Sequence, residues 1–340
     1  MFKNNSVSNI FSLAIAGLIT GLVVTSIKTR NNIAQAQDKP QVVASHNVIC
    51  DLLQTIAQDT IDLTCLIGTN QDPHTYSPTP SQRKAIEEAR LIFYGGYQLE
   101  PQIINLLEAT DNQIPKIALY EQVVTEPIMS EHEHEHEHSE SEHEHEHEHS
   151  EEKAEAELAP DPHVWHNVEN TVAMVELIQS ILLQANPQEA ELYLANSSAL
   201  TDQLWQLDAW IDEQIATIPA GQRVLVTTHD SLNYYVQGYD LENYHTLQGL
   251  SASVSPTASQ VKELSTEIKQ AGVPTIFAES TQNDRVINNV ARIANVELSQ
   301  EKLYVDGLGQ AENYTEMMTH NTCAIVNGLG GECKPLAAQN

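Results

Sequence analysis

Two short stretches, DPHTY at Asp72–Tyr76 and DPHVW at Asp161–Trp165, repeat an Asp-Pro-His construction in which proline fixes a backbone dihedral beside an imidazole. A restricted loop has less conformational freedom to lose when its histidine engages a partner. Neutral imidazole nitrogens and carboxylate oxygens ligate zinc, manganese and iron, so His74 and His163 are candidate metal ligands. His229 follows the apolar run VLVTT and precedes Asp230, while Asp306 follows KLYV and precedes Gly307. Surface histidines and helix-capping carboxylates are commoner than ligands, so these four stand out by shared placement and not by residue type. Three imidazoles and one carboxylate would form a closed set with no open position for activated water, which favours capture over catalysis. Asp230 is a candidate for orienting a ligand or the local backbone. His166, close after His163, is a candidate for facing the same opening, whereas His46, His245 and His320 lack a comparable context.

A different metal chemistry stands in EHEHEHEHSESEHEHEHEHSEEKAEAE. There His132, His134, His136, His138, His143, His145, His147 and His149 alternate mainly with acids. Adjacent imidazoles bind several ions weakly and exchange them quickly, and the carboxylates raise the local cation concentration. This alternation does not separate zinc from nickel or copper, and eight alternating histidines make an acidic solubilising linker a less economical reading than metal sensing, buffering or capture. The stretch has no apolar face to bury, so residues 131–157 are expected to form a disordered insertion.

The elements that must position these residues alternate between strand and helix. QVVASHNVI is a short apolar stretch and DLLQTIAQDT a helix candidate; IDLTCLIG and LIFYGG read as strands, with SQRKAIEEAR a helix entered through Ser81 between them. IPKIALY reads as a further strand, and a helix starts near Val168. From about Pro187 to Ile218, Tyr193, Leu200, Leu204, Leu207 and Ile211 recur at helical spacing, giving a rod long enough to bridge two lobes. RVLVTTHD restarts the alternation. The fold class expected is therefore α/β: two similar lobes with mostly parallel sheets joined by a long rigid helix. The corresponding organisation is a signal peptide at 1–36, an N-terminal lobe at 37–187 carrying the insertion, a linking helix at 188–218 and a C-terminal lobe at 219–340. In such sheets, loops leaving the carboxyl ends of strands converge on a crevice, where the candidate ligands are expected to meet.

Against 47 acidic residues stand 16 basic ones, a field that repels phosphate backbones and attracts cations, so nucleic acid is excluded as a partner. Lys3, the apolar run from Ile10 to Ile27 and the small residues Ala34 and Ala36 read as a secretory signal, the alternative being an uncleaved amino-terminal anchor. Export makes disulfides plausible for Cys50, Cys65, Cys323 and Cys333, with the sequence-local pairs 50–65 and 323–333 preferred over two other pairings.

Taken as an ordered set, LIGTNQDPHTYSPTPSQ, LIFYGGYQLEP, the His/Glu tract before DPHVWHNVEN, VLVTTHDSLNYYVQGY, VPTIFAES and LYVDGLG resemble the cluster A-I metal-binding components of bacterial ATP-driven transporters, the zinc and manganese solute-binding proteins, especially the cyanobacterial zinc-uptake type. The resemblance implies a monomeric, non-enzymatic periplasmic protein that holds Zn2+ between its lobes through His74, His163, His229 and Asp306 and delivers it to the permease and ATPase of an importer. Manganese-binding relatives generally carry glutamate where this chain has His229, so the resemblance favours zinc over the alternative cargo Mn2+. Two departures accompany it: His166 occupies a position where the family commonly has leucine, and Gly95 one where asparagine is frequent. Glu279 aligns with a recurrent acidic position and is expected to support the ligands, not to join them. A secreted zinc-dependent hydrolase is the alternative of a different class; it needs an open metal position and a general base, and no HExxH segment is present.

Overall fold

The structure, a computed structural model, describes residues 39–110, 113–132, 157–251 and 256–337. The expected signal peptide and the tract histidines from His134 to His149 lie outside these residues, and only the backbone of His132 falls within them.

The first lobe is built on β1 (Gln41–Ala44), α1 (Asn47–Ala57), β2 (Asp62–Cys65), α2 (Pro80–Glu88), β3 (Leu91–Tyr94), α3 (Pro101–Glu108), β4 (Lys116–Ala118) and α4 (Leu119–Val123). Its four strands are all parallel, in the order β2-β1-β3-β4. The apolar runs VVA and LIF bury both faces, as strands covered by helices on two sides require. Helix α2 begins earlier than the expected Ser81: Thr79 accepts from the Gln82 N–H (3.4 Å), the Gln82 side chain accepts from the Thr79 N–H (2.9 Å), and Pro80 fills a first-turn position that needs no donor. IPKIALY is strand only at β4 and turns into α4 at Leu119.

β5 (Met129–His132) and β6 (Glu157–Pro160) pair antiparallel, so the chain leaves for the His/Glu tract and returns from it side by side. α5 (Val168–Ala185) follows, capped by Asn167, whose Oδ1 accepts from the Glu169 N–H at 2.7 Å. After a 3-10 turn at Pro187–Glu189 comes α6 (Ala190–Ile215), a helix of 26 residues. At 1.5 Å per residue it is about 39 Å long. The sequence expectation of one continuous helix from Pro187 to Ile218 overshoots at both ends: the proline opens a tighter turn, and Pro219 follows the last turn and cannot continue the ladder.

The second lobe contains β7 (Val224–His229), α7 (Asn233–Gly238), β8 (Asn243–Gln248), α8 (Ala258–Ala271), β9 (Thr275–Ile276), α9 (Arg285–Ala294), β10 (Glu297–Leu298) and α10 (Tyr314–Gly328). β7 pairs with β8 and β9 with β10, both in parallel, and the Phe277 N–H donates to the Val226 carbonyl at 3.0 Å to join the two pairs. Two α/β lobes with mostly parallel sheets and a long connecting helix are thus the observed architecture.

Helix α6 buries Leu200, Leu204, Leu207 and Ile211 along one stripe and packs against α1, α5 and α10. One apolar cluster consequently runs through both lobes, from Ile49 and Trp165 to Met317 and Ile325. Disulfides Cys50–Cys65 and Cys323–Cys333 form the sequence-local pairs, the first tying α1 to β2. Among the described residues no helix is long and apolar enough to cross a membrane. If α6 is a shared spine, Leu204→Ala will cost about 2–5 kcal/mol. Urea unfolding followed by amide exchange should then show protection lost in both lobes together; loss confined to one lobe would contradict the shared core.

Candidate metal centre

His74 lies in the loop after β2, His229 is the last residue of β7, and Asp306 follows Leu303, which bridges in parallel to Glu279 after β9. These three leave the carboxyl ends of the two parallel sheets, as expected. His163 departs from that rule, because it follows β6 of the antiparallel pair and so enters the crevice from its side. All four candidate ligands are brought together, with one ligand atom from each within 4.8 Å of the others. Asp306 Oδ1 is 3.3 Å from His229 Nε2, 3.6 Å from His74 Nε2 and 3.7 Å from His163 Nε2, and the last two nitrogens are 3.2 Å apart. A tetrahedron with zinc–nitrogen bonds of about 2.0–2.1 Å has edges of about 3.3 Å, and these four separations are near that value.

Local chemistry aims each ring. The two Asp-Pro-His segments share an additional device: Asp72 Oδ1 accepts from the His74 N–H (2.8 Å) and Asp161 Oδ1 from the His163 N–H (2.9 Å), closing an Asx turn over the proline. Asp161 Oδ1 also takes the His163 Nδ1 proton at 2.8 Å. Glu279 Oε2 does the same for His229 Nδ1 at 2.5 Å, while its Oε1 accepts from the Thr228 and His229 N–H groups at 2.9 and 3.0 Å. With Nδ1 committed to a carboxylate, Nε2 is the nitrogen that both rings turn to the centre. The Thr281 hydroxyl donates to Asp306 Oδ2, leaving Oδ1 as that carboxylate's single free oxygen. His229 Nε2 and Asp306 Oδ1 are buried without a hydrogen-bond partner, which is costly unless something positively charged completes them. Three of the four are fully enclosed; His74 is partly exposed and lines a cleft of about 430 Å³ together with Tyr97, Glu121, Leu158 and Leu250.

The other residues noted in the sequence take different places. Glu279 acts through His229 and the backbone and does not face the centre. Asp230 accepts from Asn233 Nδ2 at 2.8 Å, and the same amide donates to Asp161 Oδ2 at 3.1 Å, so Asp230 reaches the centre only through these neighbours. His166 points away from the opening, donating from Nε2 to the Val305 carbonyl at 2.8 Å. His46, which sequence reasoning set aside, binds the Asp306 carbonyl at 3.0 Å through Nε2 and the Tyr120 hydroxyl at 2.7 Å through Nδ1. Its one sequence signal is its place just after the buried strand β1. His245 pairs with Glu267 and His320 with the Lys302 carbonyl, away from the centre. Sequence reasoning also missed Glu100, whose buried carboxyl accepts from the Ser45 hydroxyl (2.5 Å) and the Gly95 N–H (2.7 Å) and is pushed by burial up to about 7.

Electrostatics divides the histidines into two groups. Burial lowers His229, but the Glu279 and Asp306 carboxylates overrule it and hold the ring well above its ordinary 6.5. His163 is raised likewise: burial opposes, and its bond to Asp161 and the nearby Asp306 carboxylate prevail. For Asp306 burial favours the neutral acid, yet the facing His229, with the His163 and His74 nitrogens close by, holds it well below 3.8. Burial takes His46 down to about 4 and His166 down to about 3. Without metal, then, the raised His229 contributes stability that is fully present below pH 6.5 and lost as pH rises through its folded value. His46 and His166 act with the opposite sign, so the test is a difference. The stability advantage of the metal-free protein over His229→Gln, measured by denaturant unfolding with chelator present, should be largest just below pH 6.5 and shrink towards alkaline pH. A pH-independent difference would contradict the charge assignment.

The periplasmic family described as zinc-uptake complex component A matches residues 42–328. A manganese-binding lipoprotein, MntA of Halalkalibacterium halodurans, is 27% identical over 293 residues, 85% of this chain and 88% of the relative. A manganese ABC transporter substrate-binding lipoprotein, PsaA of Streptococcus mitis, is 28% identical over 319 residues, 91% of this chain and 95% of the relative. Among solved structures, the periplasmic zinc binding protein TroA from Treponema pallidum superposes with a TM-score of 0.73 at 28% identity, covering 86% of this chain and 99% of that one.

Proposed function

Since the chain belongs to the periplasmic zinc-uptake complex component A family, we propose that it captures one divalent transition-metal ion between its lobes and delivers it to the permease and ATPase of an ABC importer. The reading is of a transport protein acting in the periplasm, without catalysis, and the family assignment accords with that. His74, His163, His229 and Asp306 are the ligands in this reading. The observation that carries it is the convergence of three Nε2 atoms on the unpartnered Oδ1 of a buried carboxylate.

Capture follows from the charges around that point. An arriving dication meets Asp306 in front and Asp161 and Glu279 behind two of the rings, so its positive charge is compensated within the protein as water is shed. Because His163 and His229 tend to hold protons without metal, binding displaces protons, and affinity falls as pH falls.

Zinc is the cargo the donor set favours. Three nitrogens and one oxygen suit a borderline ion, and manganese stands lowest in the affinity order for such sites. Thr281 holds Oδ2, which supports a one-oxygen carboxylate and four-coordination. At position 229 a glutamate would set its charge against Glu279, now bonded to the ring at 2.5 Å. The second reading is manganese, and the names of the sequence relatives back it more than they back zinc.

Competition decides between them. Protein freed of its first 36 residues and of residues 131–150 should retain one zinc, counted by elemental analysis, that excess manganese does not displace; retained manganese would assign the cargo to that ion, and no tightly held metal would remove the capture reading. His229→Glu should weaken zinc by more than the about 10–100-fold that loss of an orienting partner costs. Unchanged zinc affinity in that variant would show that His229 is not a ligand.

A further inference from the structure

Two buried histidines that are not among the proposed ligands converge on one short piece of backbone. His46, at the end of β1, contacts the Asp306 carbonyl at 3.0 Å, and His166, after the second Asp-Pro-His segment, contacts the Val305 carbonyl at 2.8 Å. We propose that His46 and His166 are positioning residues that clamp consecutive carbonyls of the 305–306 backbone and so hold the Asp306 carboxylate in place before the metal arrives. The proposal rests on the reading of Asp306 as a ligand.

A carbonyl only accepts, so both rings must carry their proton on Nε2. For His46 the Tyr120 hydroxyl then donates to Nδ1 at 2.7 Å, fixing that tautomer from the other side. His166 has no such second partner, and its Nδ1 is buried and unpaired. An apolar side chain would fill the same volume without burying an unpaired nitrogen. The hydrogen bond to Val305 is the contribution an imidazole makes there and a leucine cannot. Trp165 separates the two clamps, with ring centroids 4.7 Å from His46 and 5.3 Å from His166, and also lies 5.4 Å from the proposed ligand His163. The segment 163–166 thereby sends one ring to the centre, one into the core and one to the backbone of the opposing ligand.

The grip continues past Asp306. Asn47 Oδ1 accepts from the Leu308 N–H at 3.0 Å, and Gly307, at φ +140°, lies so close to Asn47 that a Cβ there would come within 2.4 Å of its side chain. The loop bearing Asp306 leaves the second lobe's sheet, yet side chains from the first half of the chain hold it at residues 305, 306 and 308. Its freedom is lost at folding and not at metal binding, which should show chiefly in how slowly metal leaves.

The test uses zinc and the protein without its first 36 residues and without residues 131–150. Zinc release into excess chelator is followed by stopped flow, alongside thermal unfolding of the metal-free form. His166→Leu should still bind one zinc but release it about tenfold faster, the low end of the range for loss of an orienting partner, with metal-free melting equal to or above that of the parent. His166→Gln, which restores an N–H donor, should recover most of the slow release. A parental release rate in His166→Leu, or fast release that follows lost stability and is not rescued by glutamine, overturns the proposal. Long-range proton–nitrogen spectra of the unsubstituted protein give a readout independent of variant folding: both rings should be in the Nε2–H form with and without zinc, and an Nδ1–H form for either overturns the clamp. Tight zinc in the parent with normal release from His166→Leu would sink the clamp alone, whereas no tight zinc in the parent would remove the metal-site reading and the clamp with it.

Discussion

A single carboxylate oxygen, Asp306 Oδ1, buried against three imidazole nitrogens and lacking a hydrogen bond, is the constraint from which most of the surrounding structure follows. An anion in that position is unstable unless cations or donors compensate it. Every neighbouring arrangement addresses this need. Thr281 satisfies the other oxygen, Asp161 and Glu279 set the tautomers of two rings, and the rings turn their nitrogens inward. The protein therefore contains a small volume whose carboxylate must be compensated by positive charge, from protonated rings or from a dication.

Holding such a volume between two lobes requires that the lobes agree on distance. Helix α6 supplies that agreement by placing one apolar stripe in a core common to both, so that neither lobe's sheet can drift without disturbing Leu204 and Leu207. Shorter tethers act beside the centre: the Tyr314 N–H donates to Asp51 at 2.8 Å and the Tyr314 hydroxyl to the Trp165 carbonyl at 2.7 Å. The burial of apolar side chains is non-directional and sets the overall distance, while these bonds set angle and register.

Much of this was legible in the chain itself. Alternating apolar runs and a long helical stripe predict the two α/β lobes, and the repeated Asp-Pro-His with His229 and Asp306 predicts the four side chains that converge. Less legible were interactions that depend on distant partners. The Asx turns over Pro73 and Pro162 were not inferred from the tripeptide, although Asp, Pro and His are all that such a turn needs. His46 could not be told from an ordinary core histidine, because the atom it contacts is a backbone carbonyl 260 residues away. His166 shows the reverse: three residues past His163 suggests a shared opening, but a 3-10 turn at Val164–His166 rotates it towards the opposite side. Strand ends were overestimated wherever an apolar run continued into a helix, as at Leu119.

The centre is asymmetric in its burial. Of the four converging side chains, only His74 touches the cleft; the others are sealed behind it. On the capture reading, an ion entering by that cleft would meet His74 before the other three. His74 would then be the threshold residue of the centre, the place where a change in the cleft reaches the ligands while the other three stay enclosed.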